Sequence, residues 1–292
     1  MSISSYGSLL DALRGVQWPA RRPVPGAVPG THQSRLRGTS AEFTEYRPYR
    51  QGDDPRRLDW KLLARSDRAY IRLADDHSIL ATLLLVDASA SMAYPAATHE
   101  KWAQARRLAV GLATVAHAGG DPVGLLLPTA AGVARVAPRT RRGVVSEVAA
   151  ALDAVRPSGS ASLATALLGL APAVRVAVVS DFLGDGDALL RVASERVAAG
   201  GEVHAVHVVA AEELDPPPAA ILAVDPEEPE VRRPLVGAAR AAYLSAFAAW
   251  REELARSWRA TGAGYTLVTT TEPADQAVRR IVAPSALVAV RA

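Results

Sequence analysis

The sequence contains no cysteine. This absence excludes disulfide bonds, thiol nucleophiles, iron–sulfur clusters and cysteine-based zinc sites. No apolar run approaches the ~18–20 residues that a membrane-spanning helix needs. The first ten residues also lack the basic flank and the apolar stretch of a signal peptide. We therefore expect a cytoplasmic protein with no membrane partner.

Lysine is scarce as well, since Lys61 and Lys101 are the only two in the chain. The 33 basic residues nearly balance the 30 acidic ones, but residues 1–72 hold 13 basic against 7 acidic residues. This excess consists mainly of arginine in a chain rich in alanine, glycine and proline, and no recognition motif frames it. We therefore do not expect nucleic-acid binding.

What is present is an ordinary globular composition, with 49% hydrophobic and 22% charged residues in 292 positions. Residues 1–30 contain a proline cluster and indicate an arm or linker. Residues 31–78 are charged and partly alternating, which predicts an extended β/loop segment packed on a larger domain. Residues 79–284 form that domain, and residues 285–292 form a short C-terminal tail.

Short apolar runs alternate with helical periodicity through the larger domain. This alternation predicts a doubly wound, mostly parallel α/β sheet of Rossmann-like type. The predicted strands are 79–86, 122–127, 174–179, 203–209 and 265–269, with a hairpin partner at 133–136, and the predicted helices are 101–118, 143–155, 163–170, 188–199, 238–259 and 273–282. In the longest helix, a stripe at helical spacing is expected to pack on the sheet: Tyr243, Phe247, Trp250, Leu254 and Trp258.

The most informative residues follow the first predicted strand of this domain, where Asp87, Ser89 and Ser91 alternate with alanines. Ligands of open α/β sheets bind outside the carboxyl ends of the strands. One carboxylate and two hydroxyls suit a hard cation such as Mg²⁺. A second acid, Asp181, follows strand 174–179. The alternative is that these residues serve only as turn and helix-cap residues.

The Asp87–Ser91 pattern resembles the metal-ion-dependent adhesion site of von Willebrand factor A domains. A longer set of motifs, from about Gly30 to Pro273, resembles the bacterial domain-of-unknown-function family 58. These motifs include Gly52-Asp53-Asp54, Arg56, Leu58-Asp59-Trp60, Ala64-Arg65, Asp121-Pro122-Val123-Gly124-Leu125 and Ser180-Asp181-Phe182-Leu183.

The resemblance implies a von Willebrand factor A-like protein that acts with a MoxR-type AAA+ ATPase in chaperone-like maturation or remodelling, with no established catalytic activity. It also implies Mg²⁺, or Mn²⁺ in its place, held by Asp87, Ser89, Ser91 and Asp181, with a threonine and a partner carboxylate completing the shell. The chain has Ala161 at the threonine position. The hydroxyls that could replace it after a shift of the loop belong to the two flanking serines, Ser160 and Ser162.

The charged N-terminal block consists of Asp53, Asp54, Arg56, Asp59, Trp60 and Arg65. One interpretation is structural, with arginine–carboxylate pairs and Trp60 as an apolar anchor that pins the segment to the core. The other is a binding surface for the ATPase. We favour the structural interpretation because a nearly neutral mixture attracts a charged partner poorly.

These observations predict a non-enzymatic interaction module that binds a protein partner through Mg²⁺ at the strand ends. The alternative is a metal-free scaffold that uses the N-terminal block and the tryptophan-bearing helix 238–259. A phosphatase or hydrolase built on Asp87 is less favoured, because Ser89 stands where strand-end phosphatases carry a second aspartate.

Overall fold

The computed structural model describes residues 3–21, 29–50, 58–66, 68–129, 132–171, 174–184, 186–218, 220–224 and 230–284. The chain divides into two compact units. The larger combines residues 1–19 with residues 81–292, and the smaller comprises residues 20–80.

The strands, in chain order, are β1 (Pro29–Pro48), β2 (Tyr70–Ser78), β3 (Thr82–Val86), β4 (Val123–Thr129), β5 (Gly132–Arg139), β6 (Arg175–Ser180), β7 (Glu202–Val209), β8 (Leu222–Val224), β9 (Arg232–Pro234) and β10 (Gly264–Thr269). The helices are α1 (Gly7–Ala12), α2 (Trp60–Ser66), α3 (Glu100–Ala118), α4 (Val144–Asp153), α5 (Leu163–Leu168), α6 (Gly186–Ala198), α7 (Ala211–Leu214), α8 (Ala238–Ala260) and α9 (Ala274–Val282). Among these described elements, no helix combines the length and apolar character needed to cross a membrane.

The larger unit is built on a six-stranded sheet with the order β10-β7-β6-β3-β4-β5. Its neighbours are parallel except for β5, which pairs antiparallel with β4 as the predicted hairpin partner. The central strands are buried along their whole length, as expected for parallel strands covered on both faces. The order is that of a doubly wound fold whose switch point lies between β3 and β6, so the predicted fold class is confirmed.

Two hydrophobic clusters cover the two faces of the sheet. Leu84 and Val86 point into one cluster with α3, α4 and α9, and Leu83 and Leu85 point into the other with α5, α6 and the end of α8. This alternation follows from the two-residue period of a strand. The two faces fix the strand ends rigidly, which positions the groups that follow them.

The interpretation of residues 1–30 as an arm or linker is wrong for residues 3–18. This stretch contains α1, and Tyr6, Leu13 and Trp18 are buried in the same cluster as α3. The Tyr6 hydroxyl donates to Asp153 Oδ1 over 3.1 Å, and the Trp18 ring lies 4.5 Å from the guanidinium of Arg175. The prolines that suggested a linker begin only at Pro19, so they do not govern the residues before it.

The smaller unit contains β1 and β2, which pair antiparallel with several register irregularities, and the unpredicted helix α2. Asp59 Oδ1 accepts from the backbone N–H groups of Lys61 and Leu62, each over 3.0 Å, and so caps α2. Trp60 is 63% exposed on α2, and its role as an apolar anchor on the core stays a prediction. Arg65 is also exposed on α2.

The remaining members of the charged block, Asp53, Asp54 and Arg56, lie outside the described residues. The predicted tail 285–292 also lies outside them.

The predicted stripe of α8 divides into two parts. Leu254 and Trp258 are buried against the sheet, as predicted. Tyr243, Phe247 and Trp250 are only half-buried, and their rings stack in succession with centroids 5.7 and 5.6 Å apart. Trp250 nevertheless packs against the core cluster, with its ring centroid 5.5 Å from that of His207. The prediction of core packing is therefore wrong only for Tyr243 and Phe247, because helical spacing alone does not tell how far a long helix extends past the sheet.

Candidate functional site

Two neighbouring strand ends meet at the switch point of the sheet. Asp87 follows β3 and Asp181 follows β6, and the two strands pair in parallel with Val86 opposite Val179. The Asp87 backbone N–H donates to the Val179 carbonyl over 2.9 Å, which extends the pairing past the strand. The predicted residues are therefore placed together at the carboxyl edge of the sheet, where ligands of this architecture bind.

Asp87 is buried and fully engaged. Its Oδ1 accepts from the Ser89 backbone N–H over 2.8 Å, and its Oδ2 accepts from Ser180 Oγ over 2.6 Å. Burial raises the pKa of Asp87 above its ordinary value, the nearby Asp181 carboxylate adds to the rise, and the hydrogen bonds oppose it. The carboxylate is held in a single orientation by these contacts.

The two serines of the motif lie side by side. Ser89 Oγ and Ser91 Oγ are hydrogen-bonded to each other at 3.1 Å, and both side chains are buried at the start of a short 3-10 helix, Ala90–Ala93. Mg²⁺ binds oxygen at about 2.0–2.1 Å in octahedral geometry, which places adjacent ligands about 3.0 Å apart. This pair therefore has the spacing of two neighbouring Mg²⁺ ligands.

Asp181, the fourth predicted ligand, is paired with an ammonium group. Lys101 Nζ lies 2.9 Å from Asp181 Oδ2 and 2.6 Å from Glu213 Oε1, and the lysine side chain is only 1% exposed. Burial alone would lower the pKa of Lys101, but the two carboxylates outweigh it and the pKa lies above its ordinary value. The lysine is therefore a permanent cation beside the strand ends.

Glu213 is the second carboxylate of this cluster. It lies in α7, which follows β7, and its Oε2 accepts from the Ala210 backbone N–H over 2.8 Å. Burial raises the pKa of Glu213, and Lys101 opposes the rise. The sequence patterns do not predict a role for Glu213 or Lys101 at this site. The signal that could have found Lys101 is a lysine, one of two in the chain, among the apolar residues of a buried helix.

The backbone after Asp181 is strained. Phe182 has a φ of 55°, in the left-handed region that costs a non-glycine residue on the order of 1–3 kcal/mol. Its ring is held between His207 and Trp258, with centroids 5.7 and 5.2 Å away. Packing of Phe182 thus fixes the turn that carries Asp181.

The loop Gly159–Leu163 forms the third side of the site. It is tied to the motif because the Ala90 N–H donates to the Gly159 carbonyl over 2.8 Å. Ala161 has no side-chain oxygen, and Ser162 Oγ accepts from both Thr165 N and Thr165 Oγ1 over 3.1 Å. These bonds engage Ser162 as the N-cap of α5, so its hydroxyl would have to leave the cap to bind a metal ion.

A pocket of about 310 Å³ opens where the three sides meet. Its lining consists of Asp87, Ser89, Ser160, Ala161, Ser162, Leu163 and Gly184. Ser160 is exposed at the rim, whereas Asp87 and Ser89 lie at the buried side. The pocket presents fixed oxygen atoms to a group that enters from solvent.

The predicted four-ligand set does not fit Mg²⁺ as a complete shell. Ser89 and Ser91 have suitable spacing, but the Asp181 carboxylate is neutralised by Lys101, and position 161 offers no oxygen. Within the described ranges, no three His, Cys, Asp or Glu side chains are arranged to hold a metal ion together. Any ion would thus depend on the serine pair and Asp87.

The site holds no histidine poised for acid–base chemistry near neutral pH among its described groups. His207 is buried beside the Lys101–Asp181 pair, and its Nδ1 lies 2.6 Å from the Tyr265 hydroxyl. Burial lowers the pKa of His207 to about 3, so the ring is neutral at pH 7. His207 is therefore not a base for the hydrolase alternative at neutral pH.

The family model for proteins of unknown function DUF58 matches residues 45–253. The chain belongs to this family. Its sheet order is that of a doubly wound fold, which agrees with the fold that the resemblance to von Willebrand factor A domains implies. It is 29% identical over 276 residues to uncharacterized proteins of Mycobacterium bovis and of Mycobacterium tuberculosis, with 87% of this chain and 83% of theirs covered.

Two solved structures are similar to this DUF58 protein. One is the conserved hypothetical protein BatB from Bacteroides thetaiotaomicron, with 17% identity, a TM-score of 0.43, and 70% of this chain and 97% of that chain covered. The other is the SpRpn10 VWA domain, with 11% identity, a TM-score of 0.41, and 71% and 98% covered.

Proposed function

We propose that this DUF58 protein is a non-catalytic, cytoplasmic protein-interaction module, and that its partner binds in the strand-end pocket. The observation that carries the proposal is the pocket itself, which opens at the switch point and is lined by Asp87, Ser89 and Ser160. A side chain from a partner can reach these oxygens from solvent, and no covalent step is required for it to be held.

The arrangement of charges supports binding over catalysis. Asp87 is held by two hydrogen bonds, Lys101 is locked between Asp181 and Glu213, and His207 is neutral. A general base must be free to take a proton and must have a pKa near the working pH. These groups are instead fixed in one geometry, which suits a preformed binding surface.

The first candidate partner is a MoxR-type AAA+ ATPase, which the sequence resemblance implies. The test is calorimetric titration of such an ATPase from the same organism into the wild-type protein and into Ser160→Trp, which places a large ring at the rim of the pocket. Ser245→Trp is the matched control, because Ser245 is exposed on α8. We expect Ser160→Trp to weaken binding at least tenfold and Ser245→Trp to leave it unchanged. Equal affinities for all three proteins would overturn the pocket as the binding site.

A Mg²⁺-dependent adhesion-type module is the second candidate, and the 3.1 Å separation of Ser89 Oγ and Ser91 Oγ favours it. In that case the two serines and Asp87 would hold the ion, which would supply a Lewis-acidic contact to a carboxylate of the partner. The test is calorimetric titration with Mg²⁺ and Mn²⁺ of the wild type and of a folded Asp87→Ala variant. Saturable binding that disappears in the variant supports this candidate, and its absence in the wild type rejects it.

A further inference from the structure

Lys101 is among the largest side chains that are fully buried in the described part of the protein. An ammonium group is strongly hydrated, so its burial is unfavourable unless charges and hydrogen bonds replace the water. Here Asp181 and Glu213 replace it at 2.9 and 2.6 Å, and the ring of Tyr94 lies 5.6 Å from Nζ. The cluster therefore contains one buried cation shared by two carboxylates.

The position of Lys101 in its helix gives no local reason for a cation. It is the second residue of α3, where the helix dipole presents its positive end. A cation is disfavoured there, and an anion is favoured. The reason must therefore lie in the carboxylates, which come from two different strand ends: Asp181 after β6 and Glu213 in α7 after β7.

The ammonium group of Lys101 contacts one of the predicted metal ligands. It occupies the same carboxylate, Asp181, that the sequence assigns to Mg²⁺. A divalent cation that used this carboxylate would lie within a few ångströms of the ammonium, and like charges at such a distance repel in a buried site. Because Lys101 is 1% exposed, it cannot relieve this repulsion by moving into solvent without opening the core.

We propose that the Lys101 ammonium is a built-in counter-ion that replaces a divalent cation at the strand ends. It offsets one of the two negative charges of Asp181 and Glu213 and contacts both carboxylates directly, so the binding pocket keeps its shape without Mg²⁺. The inference rests on the proposed function only in that the strand-end pocket is taken as the binding surface.

The test compares three proteins by thermal unfolding in EDTA, in millimolar Mg²⁺ and in millimolar Mn²⁺. They are the wild type, Lys101→Met, and Lys61→Met, which makes the same substitution at the only other lysine, exposed on α2. We expect the midpoints of the wild type and of Lys61→Met to agree across the three buffers within about 1 °C, because an ion that does not bind does not stabilise. We expect Lys101→Met to gain several degrees from either ion, because two carboxylates are then left without a counter-charge.

Calorimetric titration of the wild type with Mg²⁺ tests the counter-ion role of Lys101 even if the Lys101→Met variant does not fold. No saturable heat at millimolar Mg²⁺ supports the built-in counter-ion, and saturable binding overturns it. An equal response of Lys101→Met and Lys61→Met to the ions also overturns it. No partner is present in these measurements, so their failure is distinct from a failure of the pocket to bind the ATPase.

Discussion

Replacing Lys101 by methionine should destabilise the larger unit strongly. Methionine keeps the length and apolar stem of the lysine but removes the charge, which leaves Asp181 and Glu213 facing each other across the vacated position. Their side chains are only 3% and 14% exposed, so water cannot replace the ammonium. Removing one partner of such a buried ion pair typically costs about 3–5 kcal/mol.

The assay is urea unfolding in EDTA, followed by circular dichroism. At about 2–4 °C per kcal/mol for a domain of 150–250 residues, the same loss should lower the thermal midpoint by roughly 6–20 °C. Lys61→Met should change the free energy of unfolding by no more than about 0.5 kcal/mol, as is usual for exposed positions. A loss below about 1 kcal/mol for Lys101→Met would show instead that the two carboxylates do not need the ammonium.

A double-mutant cycle separates the ion pair from the packing of the lysine stem. Asp181→Asn removes one anion, so the combination of Lys101→Met and Asp181→Asn should cost clearly less than the sum of the two single changes. Additive costs would show that the pair contributes little and that the loss in Lys101→Met comes from packing.

Three further predictions follow from burial and spacing. Amine-reactive labelling of the native protein followed by mass spectrometry should modify Lys61 and spare Lys101 until the protein unfolds; equal labelling of both would contradict the burial of Lys101. Gly124→Ala should lower the free energy of unfolding by more than about 2 kcal/mol, because the added Cβ would lie 2.7 Å from a carbonyl oxygen of β5. Gly184→Ala should be tolerated, because its Cβ would meet nothing within 4 Å. Urea unfolding of both variants tests this difference. Burial lowers the pKa of His207 to about 3, against about 6.5 in the unfolded chain, so the unfolded chain takes up the proton first as the pH falls. The free energy of unfolding should therefore decrease as the pH falls below about 6.5, by up to about 1.4 kcal/mol per pH unit. His207→Gln should reduce this slope.

The sheet was predictable because its strands are buried on both faces. Such strands must be apolar throughout, so β3, β6 and β7 stand out as short runs in the sequence. The strand-end position of Asp87 and Asp181 followed from the same pattern. The helix α1 was missed because it is only six residues long, too short for a clear period, and is held by packing of Tyr6, Leu13 and Trp18.

The ion pair that reshapes the site could not be predicted from local patterns. Lys101 and Asp181 are 80 positions apart, and only the three-dimensional path of the chain brings them together. Ser162 illustrates a second limit, because a serine after a loop is equally suited to bind a metal or to cap a helix. The choice is decided by Thr165, whose N–H and hydroxyl both donate to it.

Hydrogen–deuterium exchange of the protein alone and in complex with the MoxR-type ATPase would locate the binding surface. We expect protection on binding to concentrate in the loops that surround the strand-end pocket, at residues 87–93, 158–163 and 181–184. Protection confined to the smaller unit around Trp60, or to the half-buried aromatic face of α8, with these loops unchanged, would contradict this expectation and favour the scaffold interpretation.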